Sequence, residues 1–177
     1  MFFADYGNNT VYRVRTSGQS LEAVITTVAS PRSVAVYTTG DDTAFVFVTS
    51  DADGAIYRAQ LDGSGLTLWK AVDDVRGVAA VPSTGHVYYV AGGAVYRASL
   101  DGDNVETIQD GFIEPVGVTV KPGVLGDDGA ADDDDGAAAT VFVADAGAGT
   151  IYALTGNTTT AVVQTDTPRS ICLRSRS

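Results

Sequence analysis

Residues 47–69 read FVTSDADGAIYRAQLDGSGLTLW, and the fold turns on how that stretch is parsed. It holds an alternating apolar run, a tight Asp/Gly loop, a second run closing on Leu61-Asp62-Gly63, and a third run ending at Trp69. Each run is too short for a helix, rich in β-branched and aromatic residues, and bounded by turn formers. That is the pattern of three consecutive antiparallel strands. The phrase recurs as FFADYGNNTVYRVRTSG around Tyr12, VYYVAGGAVYRASLDGDN around Tyr96 and VFVADAGAGTIYALTGN around Tyr152.

The anchors Tyr12, Tyr57, Tyr96 and Tyr152 lie 45, 39 and 56 residues apart. Periods of roughly 40–45 residues with four strands per unit mark a β-propeller. The long third interval contains residues 122–140, PGVLGDDGAADDDDGAAAT, a Gly/Ala/Asp insertion expected to be a solvated acidic loop. Each unit has one further short run, small and uniformly apolar: 31–36, 75–80, 115–120 and 168–173. Such strands suit the crowded axis of a propeller, whereas the more polar runs at 23–28, 66–72, 105–109 and 161–165 suit its rim.

The expectation is one all-β domain over residues 1–177, a β-propeller of four four-stranded antiparallel blades. Blade 1 takes 2–28 plus 168–173, blade 2 takes 31–72, blade 3 takes 75–110 and blade 4 takes 115–165. In this reading the C-terminal strand supplies the missing inner strand of blade 1, a Velcro closure that pairs both sheet edges.

Composition agrees with this class. A chain of 177 residues with 45% hydrophobic content can bury a core, and Val, Thr, Tyr and Gly dominate over helix formers. The formal charge of −11 repels phosphate backbones, so nucleic acid is not an expected partner. Such a surface suits cations, a basic protein patch or simple solubility. Cys172 is the single cysteine, which rules out an intramolecular disulfide framework and leaves the compartment open. Between Ile171 and Leu173 it reads as a buried, inert thiol. No run approaches the roughly 20 apolar residues of a membrane helix, and MFFADYG does not read as a signal peptide.

The succession of a strand, an Asp-bearing loop, I-Y-R-A-x-L-D-G and a P-x-G-V-A-V-like strand resembles the YWTD repeat, the class B repeat of low-density-lipoprotein receptors. It is also similar to the NHL and gluconolactonase-like propellers. The likeness covers nearly the whole chain and is strongest at 56–63, at 95–102 and in the Asp ending the second strand, read as Asp5, Asp51 and Asp145. The signature Trp is replaced by Phe3, by Val48 or Thr49, by Tyr89 or Val90, and by Val143, and Ala91 stands where the third unit should have Asp. The resemblance implies propellers that usually have six blades, so the alternative to a closed four-bladed ring is a four-blade portion of a six-bladed one.

On the face around the channel mouth, the loops into the inner strands carry Arg32, Arg76 and Arg169, with Val116 in the fourth such place. The loops between second and third strands carry Asp5, Asn8, Asp51, Asp53 and Asp145, with Gly92 and Gly93 in the remaining unit. A ring of Arg beside a ring of Asp can take an anionic or zwitterionic ligand, because the Arg fork matches a carboxylate. The competing structural reading is that each Asp ties its own turn to backbone amides and pairs with the nearby Arg. Arg13, Arg58 and Arg97, which follow the Tyr anchors, read as stems lying on the sheet with their heads in water. Asp62-Gly63 and Asp101-Gly102 read as hairpin turns, and Trp69 as a residue packed between blades.

For metals, Asp51-Ala52-Asp53-Gly54 begins like a calcium loop but lacks the later acid of an EF-hand. Asp127, Asp128 and 132–135 could hold Ca²⁺ only weakly, and no other cofactor is expected. His86 is the only histidine, which excludes a His-based metal triad. The gluconolactonase-like resemblance implies a Glu/Asn/Asp cation site, for which Glu114, with Asn8, Asp51 and Asp145, is the candidate set. Glu22 and Glu106 fall in outer strands. The function expected is a non-enzymatic binding scaffold for a protein or small ligand on the Arg/Asp face, monomeric if the ring closes. The alternatives are a cation-dependent, gluconolactonase-like hydrolase and a portion of a larger receptor or enzyme ring.

Overall fold

A computed structural model describes residues 1–18, 20–40, 43–121, 139–156, 158–168 and 171. Those residues form strands and no helix. Blade 1 is a three-stranded antiparallel sheet of β1 (Phe2–Asp5), β2 (Thr10–Arg13) and β3 (Glu22–Ile25). Blade 2 has β4 (Pro31–Thr38), β5 (Ala44–Ser50), β6 (Ala55–Ala59) and β7 (Thr67–Ala71). Blade 3 has β8 (Val75–Val81), β9 (His86–Ala91), β10 (Ala94–Ser99) and β11 (Glu106–Gln109). Blade 4 has β12 (Pro115–Lys121), β13 (Thr140–Asp145), β14 (Thr150–Thr155) and β15 (Thr158–Gln164). The architecture is that of a β-propeller, with each blade a simple antiparallel meander joined by tight turns.

Of the proposed closing strand at 168–173, only Pro168 and Ile171 are described; Arg169 and Cys172 lie outside the described residues, as does 122–138 of the acidic insertion. Ile171 lines an axial cavity of about 330 Å³ together with Val34, Val78 and Val118. These are its register equivalents in the PRSV, VRGV and PVGV phrases.

One register irregularity repeats in all four blades. The third and outer strands slip between Val11 and Tyr12, Ile56 and Tyr57, Val95 and Tyr96, and Ile151 and Tyr152. Each slip leaves one extra residue on the outer strand: Val24, Trp69, Ile108 or Val162. Such a bulge re-aims a side chain. Here it turns an apolar group toward the next blade, and Val24, Trp69 and Ile108 each join the hydrophobic cluster shared with that blade.

Three such clusters hold the blades together. Val11, Ile25 and Val28 of blade 1 meet Val46, Val48 and Ala59 of blade 2. Phe47, Ile56 and Trp69 of blade 2 meet Val87, Tyr89 and Ala98 of blade 3. Tyr88, Val90 and Val95 of blade 3 meet Val141, Val143 and Leu154 of blade 4. Each blade therefore has a forward face and a rear face, and β5 and β9, covered on both, are almost continuously apolar because alternation has no wet side to serve.

Polar contacts lock the first two junctions. Arg13 Nη1 donates to Leu61 O at 3.1 Å and Arg58 Nη1 to Leu100 O at 3.2 Å, each reaching from one blade to the next. The heads of Arg13 and Arg58, expected in water, instead brace neighbouring blades, whereas Arg97 pairs with Glu106 of its own blade. Trp69 packs edge-on to Phe47 and Tyr89, with centroids 5.3 and 6.4 Å away, and its Nε1 also donates to Leu100 O at 2.9 Å. Gly63 and Gly102 have positive φ, as hairpin turns require, and serve a second purpose. A Cβ at Gly63 would lie 1.8 Å from Val24 O, and one at Gly102 would lie 3.0 Å from Trp69 O. The Gly63 turn of blade 2 and the Gly102 turn of blade 3 each press on the outer strand of the blade before.

Candidate functional site

The inner strands of blades 2, 3 and 4 begin at Pro31, Val75 and Pro115, and the second residue of each points to the channel mouth. Arg32, Arg76 and Val116 line one cavity of about 240 Å³ there with Ala4, Tyr6 and Pro31. All four blades contribute to it. Arg32 and Val116 also line the axial cavity below, so the mouth opens onto the axis.

The two guanidinium groups are held in different ways. Arg32 Nη2 bonds Asp51 Oδ2 at 2.7 Å, and its guanidinium lies 5.1 Å from the centre of the Tyr6 ring. That hydrogen bond holds the Asp51 carboxyl below its ordinary value, with the charge of Arg32 and Arg76 and a bond from Tyr6 acting the same way against burial. It also raises Arg32 further. Arg76 Nε bonds Asp74 Oδ1 at 2.9 Å, and Nη1 stands 3.7 Å from Glu114 Oε1. Asp74 adopts a left-handed φ of 52°, which a short polar side chain tolerates, and this kink brings its carboxylate back onto Arg76.

The backbone under Arg76 is fixed by a buried polar ladder between blades 2 and 3. Thr49, with 0% exposure, donates Oγ1 to Arg76 O at 3.0 Å and accepts the Ser33 amide at 3.0 Å. The Val78 amide donates to Ser33 Oγ at 3.2 Å. The sequence reading gave Ser33 and Thr49 no polar role, because the ladder they form joins strands of two blades.

The remaining carboxylates serve turns. Asp5 accepts the Asn8 amide at 3.1 Å and Asn8 Nδ2 at 2.8 Å. Asp53 accepts from Tyr57 OH at 3.1 Å, and its amide donates to Ser50 Oγ at 3.1 Å. Asp145, 1% exposed, accepts the amides of Ile113 and Glu114 at 2.8 Å each and that of Ala148 at 3.2 Å. The register corrects one sequence equivalence. Asp5 and Asp145 end their strands opposite Thr10 and Thr150, but the residue opposite Ala55 is Ser50, not Asp51. Ser50 does the comparable work, donating Oγ to Ala29 O at 2.6 Å, and Asp51 is released into the turn to meet Arg32.

The structure thus brings together Arg32, Arg76, Asp51 and Glu114 at one mouth and sets Asp5, Asn8, Asp53 and Asp145 into turns. Arg169 lies outside the described residues. The candidate cation set of Glu114, Asn8, Asp51 and Asp145 is not assembled, since Asn8 is bound to Asp5, Asp145 to amides and Glu114 faces Arg76. Among the described residues no three acidic, His or Cys side chains gather as a metal site.

No protein-family profile matches the chain, and no curated protein does. Solved structures do. A chain of a nidogen/laminin complex superposes with a TM-score of 0.78 at 17% identity, covering 96% of this chain and 62% of that one. Virginiamycin B lyase from Staphylococcus aureus gives 0.65 at 18% identity, covering 97% of this chain and 55% of the lyase. An auxiliary nutrient binding protein from Bacteroides ovatus gives 0.62 at 13%, covering 89% and 42%. The chain spans less than two thirds of the length of each. At these identities the likeness shows the fold alone, a β-propeller.

Proposed function

We propose that the chain is a non-enzymatic binding scaffold that takes a carboxylate-bearing ligand, free or presented by a protein, at the Arg32/Arg76 mouth. The observation that carries this reading is the convergence of two guanidinium groups from different blades on one cavity beside an exposed Tyr6 ring. Each guanidinium has five donors in a fixed fork. The bonds to Asp51 and Asp74 engage Nη2 of Arg32 and Nε of Arg76, and Arg76 Nη1 faces Glu114, which leaves Nη1 of Arg32 and Nη2 of Arg76 for a carboxylate. Tyr6 and Val116 supply the apolar wall that a binding cavity combines with a few placed polar groups. The fold itself carries no activity to this chain, since propellers host binding proteins and enzymes alike.

The test is titration of the ¹⁵N-labelled chain with mono-, di- and tricarboxylates. The expected result is saturable shifts confined to the amides of Tyr6, Arg32, Arg76 and Val116, lost in Arg76→Ala. Shifts that stay linear to high millimolar, or that survive Arg32→Ala and Arg76→Ala together, would refute the assignment.

A further inference from the structure

The junction of blades 3 and 4 departs from that of blades 1 and 2 where the connecting segment crosses. Gln109 lies opposite Val95 as Ile25 lies opposite Val11, and Pro115 and Pro31 open the next inner strands at the same distance beyond, so Phe112 corresponds to Val28. Between blades 1 and 2, Ile25 and Val28 are 3% and 1% exposed and close the corner. Between blades 3 and 4, Gln109 and Phe112 are half-buried and line a cavity of about 290 Å³ with Asp110, Ala148, Tyr152 and Thr159. The second departure is on the facing blade. Asp145 and Ser50 end equivalent strands, and the amides of Ala148 and Asp53 bond their side chains at 3.2 and 3.1 Å, so Ala148 takes the place of Asp53. In blade 2 Asp53 accepts the Tyr57 hydroxyl at 3.1 Å. In blade 4 that carboxylate is gone, and the hydroxyl of the equivalent Tyr152 bonds nothing among the described residues.

We propose that this cavity is a binding site for a neutral polyhydroxylated ring, a monosaccharide unit. Its polar groups are of mixed character. The Tyr152 and Thr159 hydroxyls and the Gln109 amide both donate and accept, whereas the Asp110 carboxylate, which bonds no described group, only accepts. Among the described residues no basic side chain lines the cavity, so an anion finds no counter-charge there. An organic cation would use Asp110 but leave the donors of Tyr152 and Gln109 unpaired. Vicinal hydroxyls use both kinds of group. The Phe112 and Tyr152 rings, inclined at 61° with centroids 5.5 Å apart, form an apolar corner for the C–H face of such a ring. An apolar wall with a few placed polar groups is the usual make-up of a small-molecule site. The walls are also set in advance, which lowers the cost of binding. The Phe112 amide donates to Gly93 O at 3.0 Å, those of Ile113 and Glu114 to Asp145 at 2.8 Å, and Thr159 Oγ1 to Gln109 Oε1 at 3.4 Å. The site shares no residue with the Arg32/Arg76 mouth and does not depend on the reading of it.

The experiment is titration of the ¹⁵N-labelled chain with glucose, galactose and mannose, with acetate and tetramethylammonium as charged controls. At least one sugar should give saturable shifts centred on the amides of Gly111, Phe112, Ala148 and Tyr152, and neither control should. Ala148→Asp rebuilds the carboxylate–tyrosine pair of blade 2 inside the cavity, and should abolish binding with Tm unchanged or raised. Tyr152→Phe removes only the hydroxyl and should weaken binding about tenfold. Arg76→Ala, at the mouth, should bind the sugar as the wild type does. Failure of all three sugars to saturate, shifts at these amides that survive both Ala148→Asp and Tyr152→Phe, or saturation there by tetramethylammonium instead would overturn the proposal.

Discussion

Replacing Gly63 with Ala tests how the blades are locked. The residue has φ +84°, and an added Cβ would lie 1.8 Å from Val24 O and 2.7 Å from Val24 C in the preceding blade. Two costs follow. A left-handed backbone costs an L-residue about 1–2 kcal/mol. Ordinary contact of a Cβ begins near 3.4 Å, so two backbones must separate, and overpacking of that kind costs about 1–3 kcal/mol. Gly65 isolates the second cost: its φ is +63°, and its nearest atom is Gln60 Cγ at 3.9 Å. Gly63→Ala should therefore exceed Gly65→Ala by about 2 kcal/mol, or roughly 4–8 °C in Tm for a chain of this size. Urea unfolding followed by far-UV dichroism, with thermal melts alongside, measures the difference. Equal midpoints for the two variants would show that the Gly63 turn does not press on blade 1, and the account of the junction would fail.

Three further outcomes are expected. Arg58→Ala removes the bond to Leu100 O and the cation held 4.7 Å from the centre of the Phe45 ring, and should cost about 1–3 kcal/mol by urea midpoint; a neutral result would return Arg58 to the surface. Asp145→Asn keeps the shape but turns one acceptor into a donor facing backbone amides, and should cost about 1–3 kcal/mol, with exchange accelerated at the Ile113 and Glu114 amides. Unchanged exchange at those amides would contradict it. For Asp51, the lowered pKa means the folded state favours the carboxylate, so its contribution is present above the ordinary value of about 3.9 and is lost as pH falls through the folded value. The stability gap between wild type and Asp51→Asn should accordingly be constant above about pH 4 and close below it. A gap that persists into stronger acid would assign the stabilisation to something other than the Arg32 pair.

The repeat of short strands around each Tyr made the blades legible, because turn residues and alternation are local signals. What joins the blades was legible only at Trp69, whose bulk suggested packing between blades, because the rest depends on register. A one-residue bulge after each anchor decides that Val24, Trp69, Ile108 and Val162 face forward, and nothing in an outer-strand phrase such as TLWKA announces it. Arg13 and Arg58 have the composition of surface residues and the geometry of braces, since their acceptors are backbone carbonyls some 40 to 50 positions away. Ser50 and Asp51 are both turn formers, and the sequence reading placed the strand end at Asp51, one residue beyond the Ser50 that the register puts opposite Ala55. At the mouth, Arg32 and Arg76 were legible as equivalents in a repeated phrase, whereas the Thr49–Ser33 ladder beneath them joins strands of two blades and has no local signature.

The central claim, that a forward face of one blade interlocks with the rear face of the next, is read most directly from the single Trp. Its indole N–H crosses from blade 2 to Leu100 O of blade 3, in contact with Tyr89 and Gly102. A ¹⁵N-resolved exchange and NOE experiment on that proton should give one slowly exchanging indole resonance, with cross-peaks to the Tyr89 ring and the Gly102 α protons. An indole proton that exchanges at once, or whose cross-peaks stay within blade 2, would contradict the account.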